Sequence, residues 1–385
     1  MTVIGVFLAI MAAFFIVRIL YRLAGLKKLD INVSFSKSRA VEGAGLYITT
    51  VLTNAMWLPL PWVSVKLKVS KHLIFSDMEN AQVTDFFYRN DLYNILMRQR
   101  ITRRLAFTCA KRGYYIIPTV DIAAWDILME AKSASIVGCG AHLTVYPASL
   151  PVAEVDDICV QIYGQLKARN IIYPDPFSFR GIREYSIHDP LKAVNFKASA
   201  KAQELMVNLW EYTNARQVIL LYNLQRYSVW HNEVLDEYTI KLVASLAERL
   251  ASENVPVRFI TNGISVDIDG EPKATASIEN TTEISEGIGD MQLERILEAL
   301  AYLDLEQTDV VPFAEILSKT AETYKFEPEY WLVSTYHEPD LEDAYKELMA
   351  SGARTVWVLP STVGIRMDTD NITLSPEIRE QVILV

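Results

Sequence analysis

The chain has 385 residues, 51% of them hydrophobic and 22% charged, enough apolar material for more than one buried core, since single cores rarely outgrow about 250 residues. Aromatic residues at 10% exclude a disordered chain, and a formal net charge of −10 excludes whole-chain affinity for nucleic acid, whose phosphates would repel it. Cys109, Cys139 and Cys159 stand far apart and in odd number, which excludes a disulfide framework and the paired spacing of zinc ligands.

Residues 1–26 read as a transmembrane anchor. Thr2 to Val17 carry no charge and the apolar run resumes at Ile19 and Leu20, about the length a helix needs to cross the hydrocarbon. Arg18, Arg22, Lys27 and Lys28 follow this run and no cation precedes it. Contact with a lipid bilayer through residues 2–24 is therefore expected, with a single pass through the cell membrane and a cytoplasmic body. A cleaved signal peptide would need cations ahead of the apolar run. Leu46 to Val65 is also uncharged, but Thr49, Thr50, Thr53 and Asn54 crowd its first half and Pro59 and Pro61 break its second. It reads as two strands around a turn.

Residues 29–150 alternate as strands at Ile31 to Phe35, Leu46 to Leu52, Val63 to Val69, Arg103 to Thr108, Gly113 to Ile122 and His142 to Tyr146, the pattern of an antiparallel β-sandwich. Residues 151–213 read as a connector with a helix near Ile158 to Ala168. Residues 214–385 alternate strand and helix: a strand over Gln217 to Leu224, a helix over Val234 to Ala251, and a strand over Val257 to Thr261 turned by Asn262 and Gly263. Helices follow at Met291 to Tyr302 and Pro312 to Tyr324, then strands at Trp331 to Thr335 and Thr355 to Leu359, with a helix between them that Asp340 caps and Gly352 ends. The expected fold is thus α+β and multidomain: a transmembrane helix, a β-sandwich, and a doubly wound α/β domain.

Phe179-Arg180-Gly181-Ile182-Arg183-Glu184-Tyr185, then His188-Asp189-Pro190 and Asn195-Phe196-Lys197-Ala198-Ser199-Ala200-Lys201, resemble the signature of the domain-of-unknown-function 58 family. Lys111-Arg112-Gly113-Tyr114-Tyr115, Pro118, Asp126 and Val145-Tyr146-Pro147 resemble the strand pattern ahead of that signature. His188, Phe196 and Lys201 stand where the family usually has glycine, tryptophan and arginine. The resemblance implies a membrane-anchored protein with a von Willebrand factor A-like C-terminal domain, working with a MoxR-type AAA+ ATPase. On it rests the expected function, a non-enzymatic scaffold or adaptor. The candidate motif comprises Arg180, Gly181, Arg183, Tyr185, Asp189, Asn195, Lys197 and Lys201, and it reads either as a weld between domains or as a surface for an acidic partner. The alternative function is a hydrolase using the Arg183 to Lys201 region.

A divalent cation in a von Willebrand-type domain needs an Asp-x-Ser-x-Ser loop after the first strand. The matching positions here are Asn223, Gln225 and Tyr227, so no metal is expected. His72, His142, His188, His231 and His337 lie far apart, no phosphate-cradling glycine loop is present, and no cofactor is expected.

Overall fold

The computed structural model describes residues 2–24, 28–125, 132–168, 179–185, 194–210, 217–226, 232–264, 281–305, 310–324, 328–361, 375–379 and 382–385. Helix α1 (Thr2–Ala24) is followed by ten strands: β1 (Leu29–Phe35), β2 (Arg39–Val41), β3 (Gly45–Asn54), β4 (Leu60–Ser70), β5 (Leu73–Phe75), β6 (Ala81–Val83), β7 (Phe86–Ile95), β8 (Arg100–Cys109), β9 (Gly113–Trp125) and β10 (Lys132–Tyr146). Then come α2 (Val152–Ala168), β11 (Phe179–Glu184), α3 (Phe196–Ala202) and β12 (Met206–Trp210). The remainder is β13 (Val218–Asn223), α4 (Glu233–Ser252), β14 (Val257–Thr261), β15 (Thr282–Gly287), α5 (Gly289–Tyr302), α6 (Phe313–Tyr324), β16 (Glu329–Ser334), α7 (Pro339–Ala350), β17 (Arg354–Leu359), α8 (Pro376–Arg379) and β18 (Val382–Leu384).

The fold class expected from sequence began with a transmembrane helix, and that expectation is corrected. Among the described residues no helix is long and apolar enough to cross a membrane. The physical reason lies in how α1 ends. Tyr21 is 8% exposed, joins the core of the following sheets, and its hydroxyl donates to the Pro59 carbonyl at 2.7 Å, with Val17 packed alongside. These last turns belong to the strand body, and the uncharged stretch from Thr2 to Val17 is 16 residues, a rise of about 24 Å against roughly 30 Å of hydrocarbon. The single pass through the cell membrane, and the placement built on it, rested on that span and fall with it.

Strands β1 to β10 form two facing sheets, β1-β3-β8-β5 and β2-β10-β9-β4-β7-β6, antiparallel except for the parallel pair β2 and β10. Alternation produces this arrangement. In β3, Leu46, Ile48, Thr50 and Leu52 point inward while Tyr47, Thr49, Val51 and Thr53 alternate with them on the other face. Inward residues of both sheets make one core. Phe75 of β5 stacks on Phe87 of β7 with ring centroids 4.2 Å apart and tilts against Phe107 of β8 at 5.5 Å, tying sheet to sheet. Pro61 sits at a register shift in β4, where the ladder can spare its missing N–H.

The second body is a six-stranded sheet, β15-β14-β13-β16-β17-β18, parallel except for the edge strand β15. Its inner strands are continuous apolar runs because both faces are covered. One face carries α2, α4 and α5 and the other α6, α7 and α8. Fully buried Leu220, Leu221, Trp331 and Trp357 each remove enough apolar area to contribute about 1.5–3 kcal/mol. The helix α2, in the stretch read as a connector, buries Val155, Ile158, Cys159, Ile162 and Leu166 in this body. The expected Asp340 cap is also corrected: Pro339 opens α7, Glu338 is its N-cap residue, and Asp340 instead accepts from the Tyr336 hydroxyl at 3.1 Å. Gly352, at φ +86°, closes that helix in the conformation glycine adopts at no steric cost.

Candidate functional site: an open sheet face and a charged joint

The two bodies meet along one seam. At the turn between β8 and β9, Lys111 Nζ lies 2.5 Å from Glu233 and 3.3 Å from Glu237 of α4. The neighbouring Arg112 guanidinium, with only 3% of its side chain exposed, donates through Nε to Glu237 at 3.0 Å and through Nη1 to the carbonyls of Leu300 at 2.7 Å and Leu303 at 3.2 Å. Those carbonyls end α5, where the helix dipole is negative and acceptors lack intrahelical partners, so a buried cation is well placed. Glu42 takes Lys241 at 2.7 Å, Arg39 pairs with Glu294, and Tyr114 packs against Tyr302 at 5.1 Å between centroids. Gly113, at φ +151°, allows the turn, and the Tyr115 hydroxyl ties it by donating to the Lys111 carbonyl at 2.7 Å. Burial alone would lower the pKa of the Lys111 ammonium, yet its bond to Glu233 and the charges of Glu237 and Glu233 leave it raised.

The run Lys111 to Tyr115 is therefore an interdomain weld. The signature segment occupies another place. Strands β11 and β12 pair antiparallel, with Gly181 opposite Leu209 and Arg183 opposite Val207. Asn195 caps α3 by accepting from Ala198 N at 3.0 Å, and Ser199 Oγ receives Met206 N at 2.8 Å. Arg183 is exposed and donates to the Glu184 carbonyl at 3.0 Å; Lys197 and Lys201 are exposed, and Tyr185 N donates to the Leu205 carbonyl. Arg180 lies in β11, its side chain outside the description, and Asp189 lies outside the described residues.

The carboxyl ends of β13, β14 and β16 are knitted by neutral groups. Asn223 Nδ2 donates to Ser334 Oγ at 3.0 Å, and Asn223 Oδ1 accepts from Asn262 Nδ2 at 3.0 Å and Gln225 N at 2.8 Å. Asn262 also receives Leu224 N at 2.8 Å and donates to the Val311 carbonyl at 3.0 Å. Gln225 Oε1 accepts from Phe313 N at 3.0 Å. Asn223 and Gln225 thus spend their amides on holding strand ends, while Tyr227 lies outside the described residues. Among the described residues no group of three or more His, Cys, Asp or Glu side chains is placed to hold a metal ion.

The strand β7 was absent from the sequence expectations, and it builds the second candidate feature. Its inward positions are Phe87, Arg89, Asp91, Tyr93 and Ile95, and its outward ones Phe86, Tyr88, Asn90, Leu92 and Asn94. Arg89, its side chain fully buried, grips Asp91 through Nε at 2.9 Å and Asp77 at 2.9 Å, and Arg103 of β8 reaches Asp91 at 3.0 Å from the other sheet. Asp77 is held below the usual carboxylate range, first by the Glu79 N–H and then by Arg89. With charge turned inward, Phe86 and Tyr88 stand outside, where Lys68 Nζ lies 3.8 Å from the Phe86 ring centroid and 6.0 Å from that of Tyr88. Two hollows of about 630 and 580 Å³ share Lys66, Asn90 and Asp121 and form one open trough along the outer face of the six-stranded sandwich sheet. Tyr88 and Thr119 line one end, Trp125 and Ile136 the other.

No family model and no curated protein matches the chain. Among solved structures it is similar to a non-cellulosomal cohesin from Archaeoglobus fulgidus, at 14% identity over 32% of this chain and 96% of that one, with a TM-score of 0.22. It is also similar to the CARDB domain of a Pyrococcus furiosus protein, at 11% identity over 31% of this chain and 94% of that one, with a TM-score of 0.20. A third likeness is to a chain of a type I cohesin–dockerin complex from Clostridium thermocellum, at 13% identity over 30% of this chain and 98% of that one, with a TM-score of 0.20. Likenesses this low carry no argument about function, and they lend no support to the von Willebrand factor A expectation for the second sheet.

Proposed function

We propose that the chain is a non-enzymatic scaffold that binds another protein through the outer face of its six-stranded sandwich sheet. The observation that carries this reading is the open trough built on β4, β7 and β9. Its lining of lysine, tyrosine, asparagine, threonine and aspartate offers a partner hydrogen-bond donors, acceptors and charges, and tyrosine and tryptophan add rigid amphipathic area. The welded seam supports the same reading, because a partner seated on the sandwich is thereby held in fixed relation to the second body.

The resemblance to the domain-of-unknown-function 58 family supplies the partner to try, a MoxR-type AAA+ ATPase. Calorimetric titration of the purified chain with such an ATPase is the test. Saturable binding, weakened about tenfold or more by Tyr88→Ser or Asp121→Arg, is expected, since truncation of a central aromatic anchor costs on the order of 2 kcal/mol. Binding that both variants leave unchanged would remove the trough from the account.

A further inference from the structure

The outer neighbour of β7 is too short for it. Edge strand β6 pairs only with Phe87 to Arg89. Beyond that, the chain leaves the ladder at Asn80, whose φ of +56° turns the backbone away. Two bonds fix which main-chain groups face this edge: Thr84 N donates to the Phe86 carbonyl at 3.0 Å, and Asn90 N to the Asn80 carbonyl at 3.1 Å. Alternation then points the N–H and carbonyl of Leu92 and Asn94 the same way, and among the described residues no strand pairs with them there. The odd-numbered residues of β7 spend their main-chain groups on β4.

We propose that this uncovered edge of β7 accepts an extended, acidic segment of a partner protein as an added strand. Directional main-chain groups call for a strand rather than a helix or a globular knob. Apolar side chains flank them, with Leu92 58% exposed and Leu96, Met97 and Trp57 also standing free of the core. Charge selects the kind of strand. Lys66 projects from β4 opposite Asn90, beside the start of the uncovered edge, and at the far end the Arg98 guanidinium stacks on Trp57, 3.9 Å from its ring centroid. These cations border the edge in a chain whose net charge is −10, so carboxylates at the two ends of an apolar segment are what the site complements.

The inference rests on the protein-binding reading above, and its test is independent of the ATPase. A fluorescein-labelled peptide of sequence Glu-Val-Thr-Val-Glu is titrated with the full chain and followed by anisotropy. Saturable binding is expected, at least about tenfold weaker for Leu92→Pro, because proline there removes an edge-facing N–H while leaving the β7–β4 ladder intact. Lys66→Glu should weaken binding several-fold. Methylating the peptide's central backbone nitrogens tests the same pairing with no change to the protein, and covers the case in which Leu92→Pro does not fold. Equal binding of methylated and unmethylated peptide overturns the proposal, as does an absence of saturation up to about 1 mM. Self-association of the chain that Leu92→Pro abolishes would assign the edge to a second copy and overturn it as well. No ATPase binding by the parent chain, with peptide binding retained, would instead count against the trough alone.

Discussion

Replacing Arg112 by methionine removes a buried guanidinium and keeps most of the side-chain volume. Three interactions disappear: the 3.0 Å bond to Glu237 and the bonds to the Leu300 and Leu303 carbonyls at 2.7 and 3.2 Å. Deleting one member of a buried charge pair typically costs about 3–5 kcal/mol. Glu237 keeps Lys111 at 3.3 Å and is 15% exposed, which puts the expected loss near the lower end, about 3 kcal/mol. For a body of 150–250 residues that is a fall in melting temperature of roughly 6–12 °C. Scanning calorimetry of the purified chain measures it. Adding Glu237→Leu to the same chain should cost less than it does in the parent, because the Arg112–Glu237 bond that both replacements delete is already gone. If Arg112→Met melts within about 2 °C of the parent, the guanidinium is not holding the seam and the reasoning fails.

Acid should weaken the same seam through His72. Burial, with the Lys111 and Lys71 charges beside it, holds this imidazole below its ordinary 6.5 against the opposing pull of Glu233 and Glu237. The unfolded chain therefore binds the proton more readily, and stability present above pH 6.5 is lost as pH falls below it. Urea denaturation at several pH values should show that slope, flattened in His72→Gln; an unchanged slope would separate His72 from it. Just past the carboxyl end of β14, a Cβ on Gly263 would press into the buried ends of the Leu224 and Leu303 side chains. Gly263→Ala should cost about 1–3 kcal/mol by the same assay, and a neutral result would mean those leucines can shift.

The periodic parts of the chain were readable. Leu46, Ile48, Thr50 and Leu52 announce β3, and the run from Val218 to Tyr222 announces a strand covered on both sides. Strand β7 was not, because its inward positions include Arg89 and Asp91, and no hydropathy count expects paired charges between two sheets. Lys111 and Arg112 were noticed only as part of a resemblance. Their role depends on Glu237 and on the end of α5, more than a hundred residues downstream. The stretch from Arg180 to Lys201, read as either a weld or a partner surface, draws attention by its charge density, and its described residues form a small hairpin with a short helix. The apolar start was readable as a helix, yet sequence could not say that Tyr21 is claimed by the strands that follow.

Asn223, Asn262, Gln225 and Ser334 hold three strand ends together without a single ionisable atom. Ionic strength and acidity, which act on the lysine, arginine and glutamate pairs across the seam, find nothing to act on there. The molecule thus divides its sensitivities: solution conditions can slacken the hinge line between its halves, while the rim of the second sheet keeps its shape for whatever meets it.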